Sequence, residues 1–375
     1  MEKNLVIACD GTNNEFGKED TNVVRLVRSL DSDATRQLVY YDPGMGTLSE
    51  PGRITRVARA ASTVLGLMFG AGLSWKVTEA YRFLMQRWRP GDRVFLFGFS
   101  RGAYTVRVLA AFLHMFGLLP EGNDNLLPYT MRLFQASRAR LKNPDKQGAF
   151  WALCEAYRET FARAIPHQSD RRFPVYFVGV WDTVSSVGWV WDPKAYPFTA
   201  RNPGIVSIRH AISIDERRCF FRQNSFTAVD GQDLRELWFP GVHCDVGGGY
   251  PEDDAGLWRE PFRWISDEAV ARGLFLDAAR ADHVWTRRPP MPEPWLEPKH
   301  ESLRGLWWIA EYFPKLVYFP KLKRRLPAFG CGRHRRIPDV AEPHLSTLRR
   351  LKGPGGYSPP NIPDPWRSLP ADLPG

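Results

Sequence analysis

Val94-Phe95-Leu96-Phe97-Gly98-Phe99-Ser100-Arg101-Gly102-Ala103 decides the fold. The apolar run Val94 to Phe97 reads as a buried strand, and Ala103-Tyr104-Thr105-Val106-Arg107-Val108-Leu109 reads as a helix. Between them stands Gly-x-Ser-x-Gly, the pattern of a nucleophile elbow. There the serine occupies a strained turn from strand to helix, and both flanking positions must be small enough for the backbone to pass. Gly98 and Gly102 supply that room. Ser100 would then stand at the positive end of the helix, whose first amides, beginning with Arg101, can stabilise a developing oxyanion. The competing reading is a tight structural turn with no chemistry.

Outward from the elbow, Leu5-Val6-Ile7-Ala8-Cys9-Asp10 and Leu38-Val39-Tyr40-Tyr41 read as strands. Apolar residues at Leu73, Val77, Ala80, Tyr81 and Leu84 predict a helix over 74–88, closed by Arg89-Pro90-Gly91-Asp92. Helices are expected over 128–141, 147–164 and 257–272. Further strands are expected over 173–180 and, as the last one, over Leu234 to Phe239. Buried strands alternating with helices imply an α/β fold, α/β-hydrolase-like, with a mostly parallel sheet covered on both faces. Residues 185–206, rich in Trp, Pro and Gly, read as a long loop or lid. The expected organisation is one elaborated domain, with core and lid insertions over 1–280 and a C-terminal segment over 281–375 that wraps the core.

The 375 residues are 43% hydrophobic and 25% charged, which excludes a fibrous or disordered chain. Met1-Glu2-Lys3-Asn4 leads straight into a strand, so no export signal is expected. The longest apolar run, Ser62 to Gly72, is shorter than the roughly 20 residues that cross a bilayer and reads as core or as a cap over the site. A cytoplasmic location in the producing cell follows as an expectation. Five scattered cysteines without Cys-x-x-Cys spacing predict reduced thiols and no zinc. The net charge of +10 favours an anionic partner or surface. Its densest cluster, Lys321, Lys323, Arg324, Arg325, Arg333, Arg335 and Arg336, follows the aromatic stretch Leu306 to Phe313. That composition fits a segment touching a membrane interface, but reads first as a packed helix beside a solvated loop. No helix-turn-helix, zinc finger or RNA-stacking motif accompanies it, so nucleic acid is not expected as a partner.

A serine hydroxyl needs a base to take its proton, and the base needs an acid to fix its tautomer. On a sheet with such an elbow the chain order is Ser, then Asp or Glu, then His. Of eight histidines, His243 is best placed, because it follows a strand directly and sits among glycines in Gly241-Val242-His243-Cys244-Asp245-Val246-Gly247-Gly248-Gly249. His114 and His210 fall in expected helices, and the others in loop-like segments. Asp182, in Gly179-Val180-Trp181-Asp182-Thr183, ends a strand where a sheet delivers catalytic groups. Its rival is Asp245, two residues beyond the histidine. Gly11 or Thr12, after the first strand, would offer a second oxyanion amide, with Asp10 bracing that loop. Asn22 and the turn Asp42 to Thr47 are lesser candidates for the same cleft.

The strand ending in Asp10-Gly11-Thr12 also suggests a haloacid-dehalogenase phosphatase, but the nucleophilic Asp would have to stand where Ala8 is. Neither Gly44-x-Gly46 nor Gly247-Gly248-Gly249 fits a dinucleotide or phosphate loop. No cofactor is implied.

The four ordered motifs Asp10-Gly11-Thr12-Asn13, Gly98 to Ala103, Gly179 to Val184 and Gly241 to Tyr250 together resemble the catalytic domain of the type VI secretion phospholipase effectors. The likeness runs on through His300-Glu301-Ser302-Leu303, Trp307-Trp308 and Tyr357 to Asn361. It implies a lipolytic serine hydrolase with Ser100, Asp182 and His243 as triad, phospholipase A activity, delivery by a type VI system and an immunity protein as partner. Little chain remains for the large membrane-engaging region such effectors carry. A general carboxylesterase or thioesterase of the same fold, and a non-catalytic membrane- or protein-binding module, are the alternatives.

Overall fold

The computed structural model describes residues 2–11, 20–44, 69–166, 168–184, 188–189, 192–193, 196–251, 253–286, 293–305, 307–312, 315–319 and 324–371. Six strands, β1 (Asn4–Cys9), β2 (Gln37–Asp42), β3 (Arg93–Phe99), β4 (Val175–Trp181), β5 (Ile205–Ser213) and β6 (Asp233–Phe239), are joined by the two-residue edge β7 (Glu342–Pro343). All seven pair parallel, in the order β7-β6-β5-β4-β3-β1-β2.

Strand periodicity divides the core into two layers. Leu5, Ile7, Val94 and Leu96 point to one face, where they meet α2 (Phe69–Arg87), α3 (Arg101–Phe116), α4 (Leu127–Leu141) and α5 (Pro144–Phe161). Val6, Ala8, Phe95, Phe97 and Phe99 point to the other face, against α1 (Asn22–Ser29), α7 (Arg259–Val270) and α8 (Ala278–Thr286). Burial on both sides explains why β1 is buried at all six positions. A strand with one wet face would alternate.

The chain leaves β1 through α1 to β2, then crosses back through α2 to β3 on the other side of β1. Strand order therefore reverses at β1. In an open parallel sheet, that reversal opens a crevice at the carboxyl ends of the two strands, here after Cys9 and Phe99. The elbow lies at this point.

Two expectations are corrected. Ile205–Ser213 is a strand, so His210 sits in the sheet and not in a helix. Arg209 and His210 hid the apolar run, and each is held there by an acid: Arg209 by Glu268 and Asp233, His210 by Glu236. Leu234 to Phe239 is not the last strand, because β7 pairs outside it. Beyond residue 281, Ile337, Ile362 and Trp366 pack on Ile212, Ile214 and Trp238. Part of the apolar run, 62–68, and much of the expected lid lie outside the described residues. Within that lid, Gly188–Trp189 pairs antiparallel with Asp192–Pro193. Among the described residues, no helix is long and apolar enough to cross a membrane.

Candidate active site

Ser100 has φ 58° and ψ −118°, a left-handed conformation that side chains rarely adopt. Two close approaches hold it there. A Cβ on Gly98 would stand 2.6 Å from the Ala103 nitrogen, and one on Gly102 would stand 2.1 Å from the Cys9 carbonyl oxygen. Glycine at both positions thus lets the start of α3 press against β3 and the end of β1. The Ser100 amide donates to the Trp181 carbonyl at 3.1 Å, which ties the elbow to β4. The hydroxyl-bearing residue is only 6% exposed.

Asp182 directly follows β4 and also has positive φ, 38°. His243 begins the five-residue helix α6 (His243–Gly247), where a plain loop was expected. Asn22 positions that helix from beneath, its side-chain amide donating to the Val246 carbonyl at 2.9 Å. The three side chains meet in series: His243 Nε2 lies 2.8 Å from Ser100 Oγ, and Nδ1 lies 2.5 Å from Asp182 Oδ2. An ionised carboxylate only accepts, so Nδ1 carries the proton and Nε2 is left to accept from the serine hydroxyl.

Asp182 is wholly buried. Burial raises its pKa, but the Arg335 charge and the His243 hydrogen bond outweigh it and hold the carboxyl well below the usual carboxylate range. Arg335 grips both oxygens, Nη1 to Oδ1 at 2.5 Å and Nη2 to Oδ2 at 2.9 Å, while the Ser213 amide donates to Oδ1 at 2.9 Å. For His243, burial lowers the pKa more than Asp182 raises it, so the imidazole is neutral near pH 7. Its ring lies between Phe99 and Phe221, with centroids at 4.6 and 4.8 Å. Its amide donates to Glu216 Oε2 at 3.3 Å, and Glu216 is paired with Arg218 at 2.9 Å.

The remaining expected site residues are distributed unevenly. Arg101 opens α3 directly after Ser100, so its amide belongs to the first turn, whose N–H groups point out of the helix. The Gly11 amide donates to Asp10 Oδ1 at 2.6 Å, within its own turn. A carboxylate one residue away captures the nearest donor. Asp10 Oδ2 accepts from Thr21 Oγ1 at 2.7 Å and Tyr41 OH at 3.2 Å. Thr12 and the turn 45–47 lie outside the described residues. Asp42 is ion-paired with Lys76. Asp245, the rival acid, spends its carboxylate on the Val242 amide at 2.9 Å and on His300 Nδ1 at 2.6 Å.

Sequence reasoning missed Arg335 and Glu216. Arg335 was grouped with a basic cluster, yet it is 8% exposed while Arg324, Arg333 and Arg336 are exposed. The only signal was its place two residues before buried Ile337. Glu216, 1% exposed in the loop after β5, had none.

Comparison with known proteins places these motifs in a family. An uncharacterized protein of Saccharomyces cerevisiae, YEL023C, is 33% identical over 233 residues, 60% of this chain and 33% of that one. The chain thus spans about a third of the length of that curated relative. An uncharacterized protein from Pseudomonas aeruginosa is similar in structure at TM-score 0.43 and 19% identity, over 80% of this chain and 49% of the other. The Tle1 effector bound to the VgrG spike of the type 6 secretion system aligns at TM-score 0.34 and 18% identity, over 68% and 52%. Residues 3–268 match the family described as T6SS, Phospholipase effector Tle1-like, catalytic domain, and the chain belongs to that family.

Proposed function

We propose that the chain is a serine hydrolase of lipid esters, phospholipase A-like, working through an acyl-enzyme. One observation carries the reading: the series Ser100 Oγ, His243 Nε2, His243 Nδ1, Asp182 Oδ2, with links of 2.8 and 2.5 Å. His243 takes the hydroxyl proton as the Ser100 oxygen attacks the ester carbonyl. The first-turn amides of α3, beginning with Arg101, hold the oxyanion. As the tetrahedral species collapses, the carbonyl–alkoxide bond breaks and imidazolium returns the proton to the departing alcohol. A water, deprotonated by the same imidazole, then attacks the acyl-serine; the acyl–Oγ bond breaks, imidazolium returns the proton to Ser100 Oγ, and a fatty acid is freed. Asp182 stays ionised throughout and stabilises the imidazolium.

Family membership supports a lipid as the acyl donor. So does the exterior beside the site. Trp307 of α9 (Trp307–Glu311) packs edge-on against Phe221, which packs against His243. Around it Trp308, Ile309, Tyr312 and Phe329 are 38%, 58%, 62% and 52% exposed, with exposed Arg333 nearby in sequence. Apolar side chains with a cation suit peripheral contact with a lipid surface. Delivery by a type VI apparatus and neutralisation by an immunity protein belong to the same family reading.

Ser100→Ala tests the chemistry. The variant is expected to keep its fold and lose turnover by about 10⁴-fold or more, and a fluorophosphonate should label the parent alone. A labelled variant, or one that retains turnover, ends the proposal. Mass spectrometry of products from phospholipid vesicles tests the lipid assignment. Higher rates on short soluble esters would favour a general esterase or thioesterase, and an unlabelled, inert parent would favour a binding module.

A further inference from the structure

We infer that Arg335 is a positioning residue of the triad, a bidentate clamp that keeps Asp182 charged and aimed at His243 Nδ1. This rests on the serine-hydrolase reading above. Asp182 has no exposure to water, and a buried carboxylate without compensation takes up a proton. Among the described residues its two oxygens receive four donors: Ser213 N and Arg335 Nη1 on Oδ1, His243 Nδ1 and Arg335 Nη2 on Oδ2. Without Arg335 only one neutral amide and the imidazole remain. A planar guanidinium matches a carboxylate edge to edge, which sets the plane of the carboxyl group as well as its charge.

Arg335 is itself located from three sides. It donates to Ser213 Oγ at 2.8 Å, to the Ser213 carbonyl at 3.2 Å and to the Phe221 carbonyl through Nε at 3.2 Å. Asn361 fixes its backbone, donating to the Arg335 carbonyl at 3.0 Å. The same Phe221 packs on the His243 ring. The clamp therefore touches the acid directly and the wall of the base through one neighbour.

The charges facing the pair give the sign of the pH effect. Asp182 and Arg335 cancel, and Glu216 and Arg218, paired with each other, cancel beside them. Ser100, Ser213, Cys244, Phe99 and Phe221 add no charge. With neutral imidazole these two pairs sum to zero. Removing the arginine charge leaves one uncompensated negative charge, which favours uptake of a proton by the Asp182–His243 pair and moves the acid limb of activity upward in pH.

The test is a pH profile of kcat/KM on a soluble ester for the full chain and for Arg335→Met, Arg335→Lys and Arg335→Ala. Arg335→Met should lose about 100-fold in kcat and shift the acid limb up by ~1 pH unit. Arg335→Lys should keep the limb near its parent position, because charge survives, while kcat falls because the fork is gone. Guanidinium ion should restore part of the Arg335→Ala rate. In an Asp182→Asn background, Arg335→Met should cost little more, since its effect runs through that carboxylate. Unchanged kcat and acid limb in a folded Arg335→Met overturn the inference, as do equal losses in both backgrounds. If Arg335→Met and Arg335→Ala fail to fold, Arg335→Lys decides, and parent-like kcat there overturns it. Should Ser100→Ala be inactive while Arg335→Met behaves as the parent, only the clamp falls. If Ser100→Ala retains turnover, the serine mechanism falls with it.

Discussion

Ser100 and Asp182 stand at the ends of adjacent strands, both at positive φ, 58° and 38°, and their side chains are aimed by different physics. The serine is fixed by sterics carried by a few residues: glycines two positions before and after it let a helix start press on β3 and on the end of β1. The aspartate is fixed by charge from far away, through an arginine 153 residues later. A steric device is local and tolerates only size. An ionic device is distant and depends on geometry and protonation. Damage to the first should therefore appear as misfolding of the elbow, and damage to the second as a change in rate and pH dependence.

Four measurements sharpen or break that contrast. Asp182→Asn should keep the fold and lower kcat by about 10⁴-fold, since the imidazole loses its tautomer control and counter-charge. A loss under tenfold would show that another acid serves. Gly102→Ala places a methyl where the Cys9 carbonyl stands. It should cost on the order of 1–3 kcal/mol of stability by urea unfolding and about 100-fold in rate through the displaced serine, and a parent-like variant would refute the steric account. Because burial depresses the His243 pKa, its neutral, active form persists below the ordinary histidine value. The acid limb of kcat/KM should accordingly have its midpoint below pH ~6.5, and a midpoint clearly above that contradicts the neutral base. Smallest of all, Arg272→Ala cuts surface ion pairs to Asp233 and Glu268 at the far end of β6. It should change stability by roughly 0–1 kcal/mol and leave turnover alone, and a marked rate loss would mean the two ends of the sheet are coupled.

The same division explains what could be read from sequence. Ser100, Gly98 and Gly102 were legible because strand, turn and helix follow each other within ten residues. Asp182 was legible because it directly follows an apolar strand, and His243 because it stands in a glycine-bearing segment four residues past the end of a strand. Strand β5 was hidden by Arg209 and His210, whose burial depends on Glu268, Asp233 and Glu236, residues 24 to 59 positions away. Arg335 was misread for the same reason: among six other cations its composition pointed outward, and only its partner in space turns it inward. Gly11 shows the converse. Whether its amide faces a ligand or Asp10 is decided by an oxygen position that no pattern encodes.

The clamp also sets a clock on synthesis. At roughly 5–20 residues per second, the 153 residues between Asp182 and Arg335 take about 8–30 s to emerge. Throughout that interval the nascent chain already holds its serine, and after residue 243 its histidine, but not the cation that secures the acid. A chain released by the ribosome before that point would hold serine, aspartate and histidine without the group that secures the carboxylate.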